Sequence, residues 1–286
     1  MLNENEITAV IKLLDDPDEF IYTQIEHKIL SYGSPVISYL EDAWAQSFDA
    51  LLQKRIENLV HKIQFNNVKE DLALWHHSGN FDLLRGILVV NKYQYPDLDE
   101  QKIINQIEAI KREIWLQLMY ETNPAETVKI INNVFYNLFH FSGNTLNHQD
   151  PQNSYISQVL ESKKGNQISL AIIYSVIAQK LDIPIYGVNL PQHFILAYID
   201  ELKNNENKAS VLFYINTFNK GYTFGKRDID QFLRQLNIEA SPHFYEPCSN
   251  VEIIKRVLRN LISSYQKAGL NDKAKEVEEL LDILLF

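Results

Sequence analysis

Apolar residues in the first quarter of the chain recur at helical spacing. Ile11 and Leu14, Ile25 and Ile29, Ile37 and Leu40, then Leu52, Ile56 and Leu59 each return to one side of a 3.6-residue period. Polar breaks separate the groups. Asp15-Asp16-Pro17 ends one helix, and Gly33-Ser34-Pro35 ends another and starts the next, with Ser34 as N-cap and Pro35 in the first turn. The pattern predicts two antiparallel helical hairpins of HEAT-like character over residues 1–80. Further on, residues 80–92 read as a helix running into a turn at Pro96, residues 100–119 as a long amphipathic helix, and residues 124–139 as another.

A polar stretch then interrupts the helices. "FSGNTLNHQDPQNSYISQVLESKKGN", residues 141–166, is dense in turn residues and holds one short element over 154–161, and connections of such length in compact domains typically serve function. It leads directly into the apolar helix of "QISLAIIYSV", predicted to run from about Ser169 to Leu181. The period then shortens to two. "IPIYGVNL", "HFILAYID" and "VLFYIN" predict at least three antiparallel strands, with the polar loop "ELKNNENKAS", residues 201–210, between the second and third. From Val251 to Lys267 the helical period returns, Gly269 supplies a left-handed stop, and Asn271 an N-cap for a final helix. The fold class is α+β: a helical N-terminal region over 1–80, a mixed core with a small antiparallel sheet over 81–247, and a C-terminal helical hairpin of tetratricopeptide-like pattern over 248–286.

Composition narrows the function classes. Of 286 residues, 45% are hydrophobic and 22% charged, as in soluble globular proteins, and neither a signal-peptide pattern nor a run of about 18 apolar residues is present, so no membrane partner is expected. A net charge of -10 argues against nucleic acid, which requires clustered cations, and the pairs Lys163-Lys164 and Lys226-Arg227 read as solvated turns. The lone Cys248 forms no internal disulfide, which fits a reducing, cytoplasmic setting, and between Pro247 and Ser249 it reads as a structural thiol. His76 and His77 are adjacent on a helix, about 100° apart, and make a poor ligand pair. No metal and no cofactor is expected.

One constellation carries chemistry. Alternation places His193 with Ile195 and Ala197 on one strand face, and antiparallel pairing would bring Asn216, at the end of the third strand, towards His193. With the Gly165-Asn166-Gln167 turn at a helix start, the order is helix start, histidine, then Asn or Asp. That is the order of a Cys-His-Asn/Asp triad, in which the third residue orients the imidazole. No cysteine stands at the helix start. Ser169 is the nearby hydroxyl, but two helical steps turn a side chain by about 200°, and it reads also as a first-turn capping residue. His193 reads also as a strand-end histidine hydrogen-bonded to Asn216.

The spaced motifs "FSGN" from Phe141, "DPQNS" from Asp150, "VLESKKGNQISLAIIYSVIAQKLDIPIYGVNLPQHFILAY" from Val159, "FNKG" from Phe218 and "EIIKRVLRNLISSYQKAG" from Glu252 together resemble the SirB-type transglutaminase-like family of bacterial proteins. The resemblance runs from about Leu83 to the C-terminus. It implies a papain-like core preceded by helices and closed by a tetratricopeptide-like hairpin. The family histidine falls on His193, the usual aspartate on Asn216 in "NTFNKG", and the nucleophile position on Gln167, which has no nucleophilic atom. The expectation is a transglutaminase-like protein without acyl-transfer activity, a pseudoenzyme that binds a protein or peptide partner in a groove formed by Asn166, Gln167 and Gln192. The alternative is a weak serine-dependent hydrolase or amidase using Ser169, His193 and Asn216.

Overall fold

The computed structural model describes residues 4–79, 81–118, 123–147, 149–200 and 210–285. Residues 201–209 of the expected polar loop lie outside the described residues, as do Met119 and His148 within two of the predicted segments. Two compact units divide the chain, Met1–Ala73 and Leu74–Phe286, so the last two helices belong to the same unit as the sheet.

The first unit is helical, with α1 (Glu4–Ile11), α2 (Glu19–Tyr32), α3 (Ile37–Gln46) and most of α4 (Ala50–His77). Asp18 caps α2 by accepting from the Phe20 N–H at 2.8 Å, and Gly33 ends it at a positive φ of 65°. Leu14, Ile29, Leu40, Ile56 and Leu59 form its core, as the spacing predicts, together with Ile7. Arg55, a residue to which the pattern assigns nothing, is 6% exposed and donates to the Leu14 and Asp16 carbonyls at 2.8 and 2.7 Å. It thereby satisfies carbonyls freed where α1 ends.

The second unit begins with α5 (Leu83–Gln94), α6 (Glu100–Gln117) and α7 (Pro124–Asn132). Asp82, Asp99 and Asn123 cap these three helices through their side-chain oxygens. Past Asn132 the predicted helix widens to a π-helical turn over Asn133–Leu138. The polar stretch then supplies β1 (Ser142–Gly143), α8 (Ile156–Ser162) and β2 (Lys164–Gly165), with β1 and β2 paired in parallel. The buried helix α9 (Gln167–Gln179) follows, beginning at Gln167 rather than Ser169.

The sheet has four strands in the order β3 (Ile185–Leu190), β4 (His193–Ile199), β5 (Val211–Asn216) and β6 (Tyr222–Phe224), all neighbours antiparallel. α9 packs against β3 and β4. A cluster of Ile195, Ala197, Ile199 and Tyr214 meets Ile229 and Leu233 of α10 (Lys226–Gln235). β6 is too short, at three residues, for alternation to reveal it. α11 (Asn250–Lys267) and α12 (Asn271–Ile283) end the fold as a hairpin around Gly269, whose φ is +75°. Asn271 is the first residue of α12, not its cap; Leu270 occupies the cap position without a side-chain bond. The hairpin is joined to the core by the Tyr155 and Tyr265 hydroxyls, 2.7 Å apart.

Candidate functional site

The quoted motifs are neighbours in space. Gly143 of "FSGN" lies against Phe218 of "FNKG", so closely that a Cβ there would stand 2.5 Å from the Phe218 ring. Asn144 donates to Asn153 Oδ1 at 2.9 Å, and the Asn166 carboxamide donates to Ser154 Oγ at 2.9 Å, tying "FSGN", "DPQNS" and "KKGN" into one network. These polar residues hold an irregular backbone in place where no helix or sheet could satisfy it. The network sets the N-terminus of α9.

Two side chains at that terminus have different jobs. Asn166 is the N-cap, accepting from the Ser169 N–H at 2.9 Å, and Ser169 Oγ accepts in return from the Asn166 N–H at 3.0 Å. This is a reciprocal capping box. Ser169 is 1% exposed, and its hydroxyl also lies 3.2 Å from the Asn166 carbonyl. It is turned into its own helix start, not towards His193.

Gln167, the first residue of α9, reaches the sheet instead. Its Nε2 lies 2.8 Å from His193 Nδ1, and its Oε1 accepts from the Phe194 N–H at 3.3 Å. The backbone donor fixes which end of the carboxamide is oxygen, so Nε2 donates to Nδ1 and the imidazole proton is assigned to Nε2. The structure thus brings a carboxamide to the histidine at the place where a triad would put a thiol. Burial, and secondarily the charge of Arg256, hold the His193 pKa below its ordinary value, and the ring packs edge-on against Phe232 at 4.9 Å.

Asn216 makes its hydrogen bond elsewhere. The β4–β5 register puts Leu196 opposite Ile215, where the ladder ends, and Asn216 pairs with Tyr222 on β6. Its Oδ1 accepts from the Asn219 N–H at 3.1 Å, capping the short 3-10 turn Thr217–Asn219. Of the three residues of the expected triad, none is bonded to another; Gln167 and His193 are the bonded pair.

A groove of about 500 Å³ opens beside this pair. Asn166, Gln167 and Gln192 all line it, together with Thr145 and Gln149 from the long polar stretch. That stretch forms a wall and leaves the cleft open. His193 is not among the lining residues, whereas its hydrogen-bond partner Gln167 is. Gln192, in the two-residue turn between β3 and β4, has a φ of 60°, a conformation that favours glycine. The far wall is α11, which contributes Arg256 and Lys267.

Arg256 is not legible as a site residue in the sequence, because its neighbours there mark only an amphipathic helix. It is partly buried and donates to Asn189 Oδ1 at 2.8 Å and, at 3.4 Å, to the Leu190 carbonyl. Burial, then the charge of Arg259, lower its pKa. Cys248 is partly buried and is not among the groove's lining residues, its N–H bonded to the Gly187 carbonyl at 2.8 Å and its thiol pushed up to about 12 by burial. Among the described residues, no three His, Cys, Asp or Glu side chains cluster as a metal site, and no helix is long and apolar enough to cross a membrane.

An apolar helix whose N-terminus faces a strand-borne histidine across a small antiparallel sheet defines a transglutaminase-like core. Residues 101–259 match the transglutaminase-like superfamily, and the protein belongs to it. A UPF0162 protein of Xylella fastidiosa is 28% identical over 226 residues, 71% of this chain and 73% of that protein. A UPF0162 protein of Vibrio cholerae is 28% identical over 116 residues, 41% of this chain and 43% of that protein. Human F-box only protein 21 is 25% identical over 273 residues, 89% of this chain but 40% of that protein. No solved structure matches.

Proposed function

We propose that this protein is a transglutaminase-like pseudoenzyme that binds a protein or peptide segment in the groove beside Gln167 and performs no acyl transfer. The observation that carries the reading is the Gln167–His193 hydrogen bond at 2.8 Å. Acyl transfer through a covalent intermediate needs a nucleophile whose proton the histidine can take, and a carboxamide offers none. Ser169, the hydroxyl close by in sequence, is committed to its capping box. The similarity to 40% of human F-box only protein 21 supports a module that also occurs within a longer polypeptide.

The spaced motifs that meet around Asn144 and Asn166 support placing the protein in the SirB-type bacterial branch. In that reading the α11–α12 hairpin is a tetratricopeptide-like element, and the helical pairs of the first unit are HEAT-like interaction surface.

The test pairs two measurements on the full-length protein: fluorophosphonate labelling scored by intact mass, and selection of peptide ligands from a random display library. No labelling together with peptides that lose binding in a Ser263→Trp variant, which fills the groove, is the expected result. Labelling that disappears in both Ser169→Ala and His193→Ala would overturn it in favour of a serine hydrolase.

A further inference from the structure

The groove differs in charge from the rest of the molecule. The protein has 37 Asp and Glu and a net charge of -10, yet none of the described residues lining the groove is acidic, and two, Arg256 and Lys267, are cationic. Neither cation forms an ion pair with a described carboxylate: Arg256 is held by two neutral oxygens, and Lys267 is exposed at the end of α11. A partly buried guanidinium bonded to neutral acceptors keeps its charge uncompensated, and such a group on a cleft wall is a recognition point for a carboxylate. The first turn of α9, at Asn166 and Gln167, forms part of the same lining and adds its positive dipole end.

Most of the remaining lining is neutral and polar. Gln149, Gln192 and Asn260 carry carboxamides, which both donate and accept and so suit the alternating N–H and C=O groups of a peptide backbone. Phe194 and Phe218 add apolar surface. Two cations in a small cleft on an acidic protein match a short segment with one or two carboxylates, whereas a polyanion would meet repulsion beyond the cleft.

We propose that the groove recognises an acidic peptide segment of a partner protein, with Arg256 holding a carboxylate and Lys267 assisting it. This deepens the groove-binding reading above and rests on it. The carboxylate is that of an Asp or Glu side chain, and a peptide with a free carboxyl end but no acidic side chain serves as the competing case in the test.

The experiment measures fluorescence polarisation of three labelled decapeptides against the full-length protein: Glu/Asp-rich with an amidated C-terminus, neutral with a free C-terminus, and neutral with an amidated C-terminus. The Glu/Asp-rich peptide is expected to bind at least roughly tenfold tighter than either neutral peptide, and tightest binding of the neutral peptide with a free C-terminus would overturn the side-chain assignment. Added salt should weaken that preference. Arg256→Gln is expected to abolish it, Arg256→Lys to retain part of it, and Arg227→Gln, an exposed cation on α10 outside the groove lining, to leave it unchanged. Because Arg256 also holds Asn189, Lys267→Gln provides a second variant that leaves that bond in place. It should lower the preference by a smaller factor. Peptides that bind equally with and without acid, and are displaced by Ser263→Trp, would overturn the carboxylate assignment while leaving the groove reading intact. Binding of none of the peptides, with the display selection also empty, would overturn both.

Discussion

Gln167 holds His193 with one end of its carboxamide and the adjoining β4 backbone with the other, at 2.8 Å to Nδ1 and 3.3 Å from the Phe194 nitrogen. The side chain joins the helix start to the strand start and spends both polar atoms doing so. The same side chain fastens α9 to the sheet.

Replacing Gln167 with cysteine tests whether the site around it is still shaped for a thiol. The Gln167→Cys thiol is expected to react with iodoacetamide at neutral pH about tenfold faster than in the Gln167→Cys, His193→Ala double variant, because a neighbouring imidazole favours the thiolate. The check is the alkylation rate by intact mass, with Cys248, partly buried and its thiol pushed up to about 12, giving little background. Equal rates would mean that His193 has lost its capacity to activate a nucleophile.

Ser169→Ala should act on stability and not on chemistry. It removes one half of the capping box at the start of α9 and leaves the Asn166 N–H without that acceptor, at a cost of about 1 kcal/mol. Urea denaturation measures this as a lower midpoint with an unchanged slope. A variant as stable as the parent would show the box to be dispensable.

The His193 pKa is depressed in the folded protein, first by burial and then by Arg256. Protonation therefore favours the unfolded state: the contribution is complete above the ordinary histidine pKa of 6.5 and is lost as pH falls through the folded value. Imidazolium would also turn an N–H towards the Gln167 N–H. Denaturation midpoints should decline below about pH 6.5, and less steeply in His193→Gln. His76, whose pKa burial also lowers, supplies a remaining part of the slope in that variant. Identical pH profiles for parent and variant would refute the assignment.

Gln192 tolerates a left-handed φ of 60° on the groove wall. Gln192→Gly should relieve that conformation and raise stability by up to about 1 kcal/mol, while removing a lining carboxamide. Thermal denaturation and peptide affinity, measured on the same preparation, are expected to move in opposite directions. Parallel movement would mean that Gln192 shapes the turn without serving the groove.

Close packing at the start of α9 makes Gly165 sensitive to any side chain. A methyl group there would meet Ser169 Oγ at 2.6 Å and Val159 at 2.9 Å, so Gly165→Ala should destabilise by about 1–3 kcal/mol. An unchanged denaturation midpoint would show that α8 and α9 shift apart without cost.

Local order is readable along the sequence wherever burial repeats with a simple period. The first-unit core at Ile29, Leu40, Ile56 and Leu59, the strands through Ile185 and Ile195, and the stop at Gly269 follow from side-chain spacing and from the backbone freedom of glycine. A polar turn before an apolar helix marks an exposed helix start, and Asn166 and Gln167 of that turn line the groove, as does Gln192.

Partners across the fold are decided by tertiary structure. Asn216 ends its strand where the sequence places it, but the register directs its carboxamide to Asn219, and His193 receives Gln167 instead. Ser169 faces its own cap because a first-turn hydroxyl has an orphan backbone N–H within reach. Arg256, far beyond Gln167 in sequence, joins the groove only when α11 packs beside the start of α9. Periodicity along one segment specifies which face is buried; it holds no information about which distant segment will meet that face, and on that meeting the charge and the chemistry of this site depend.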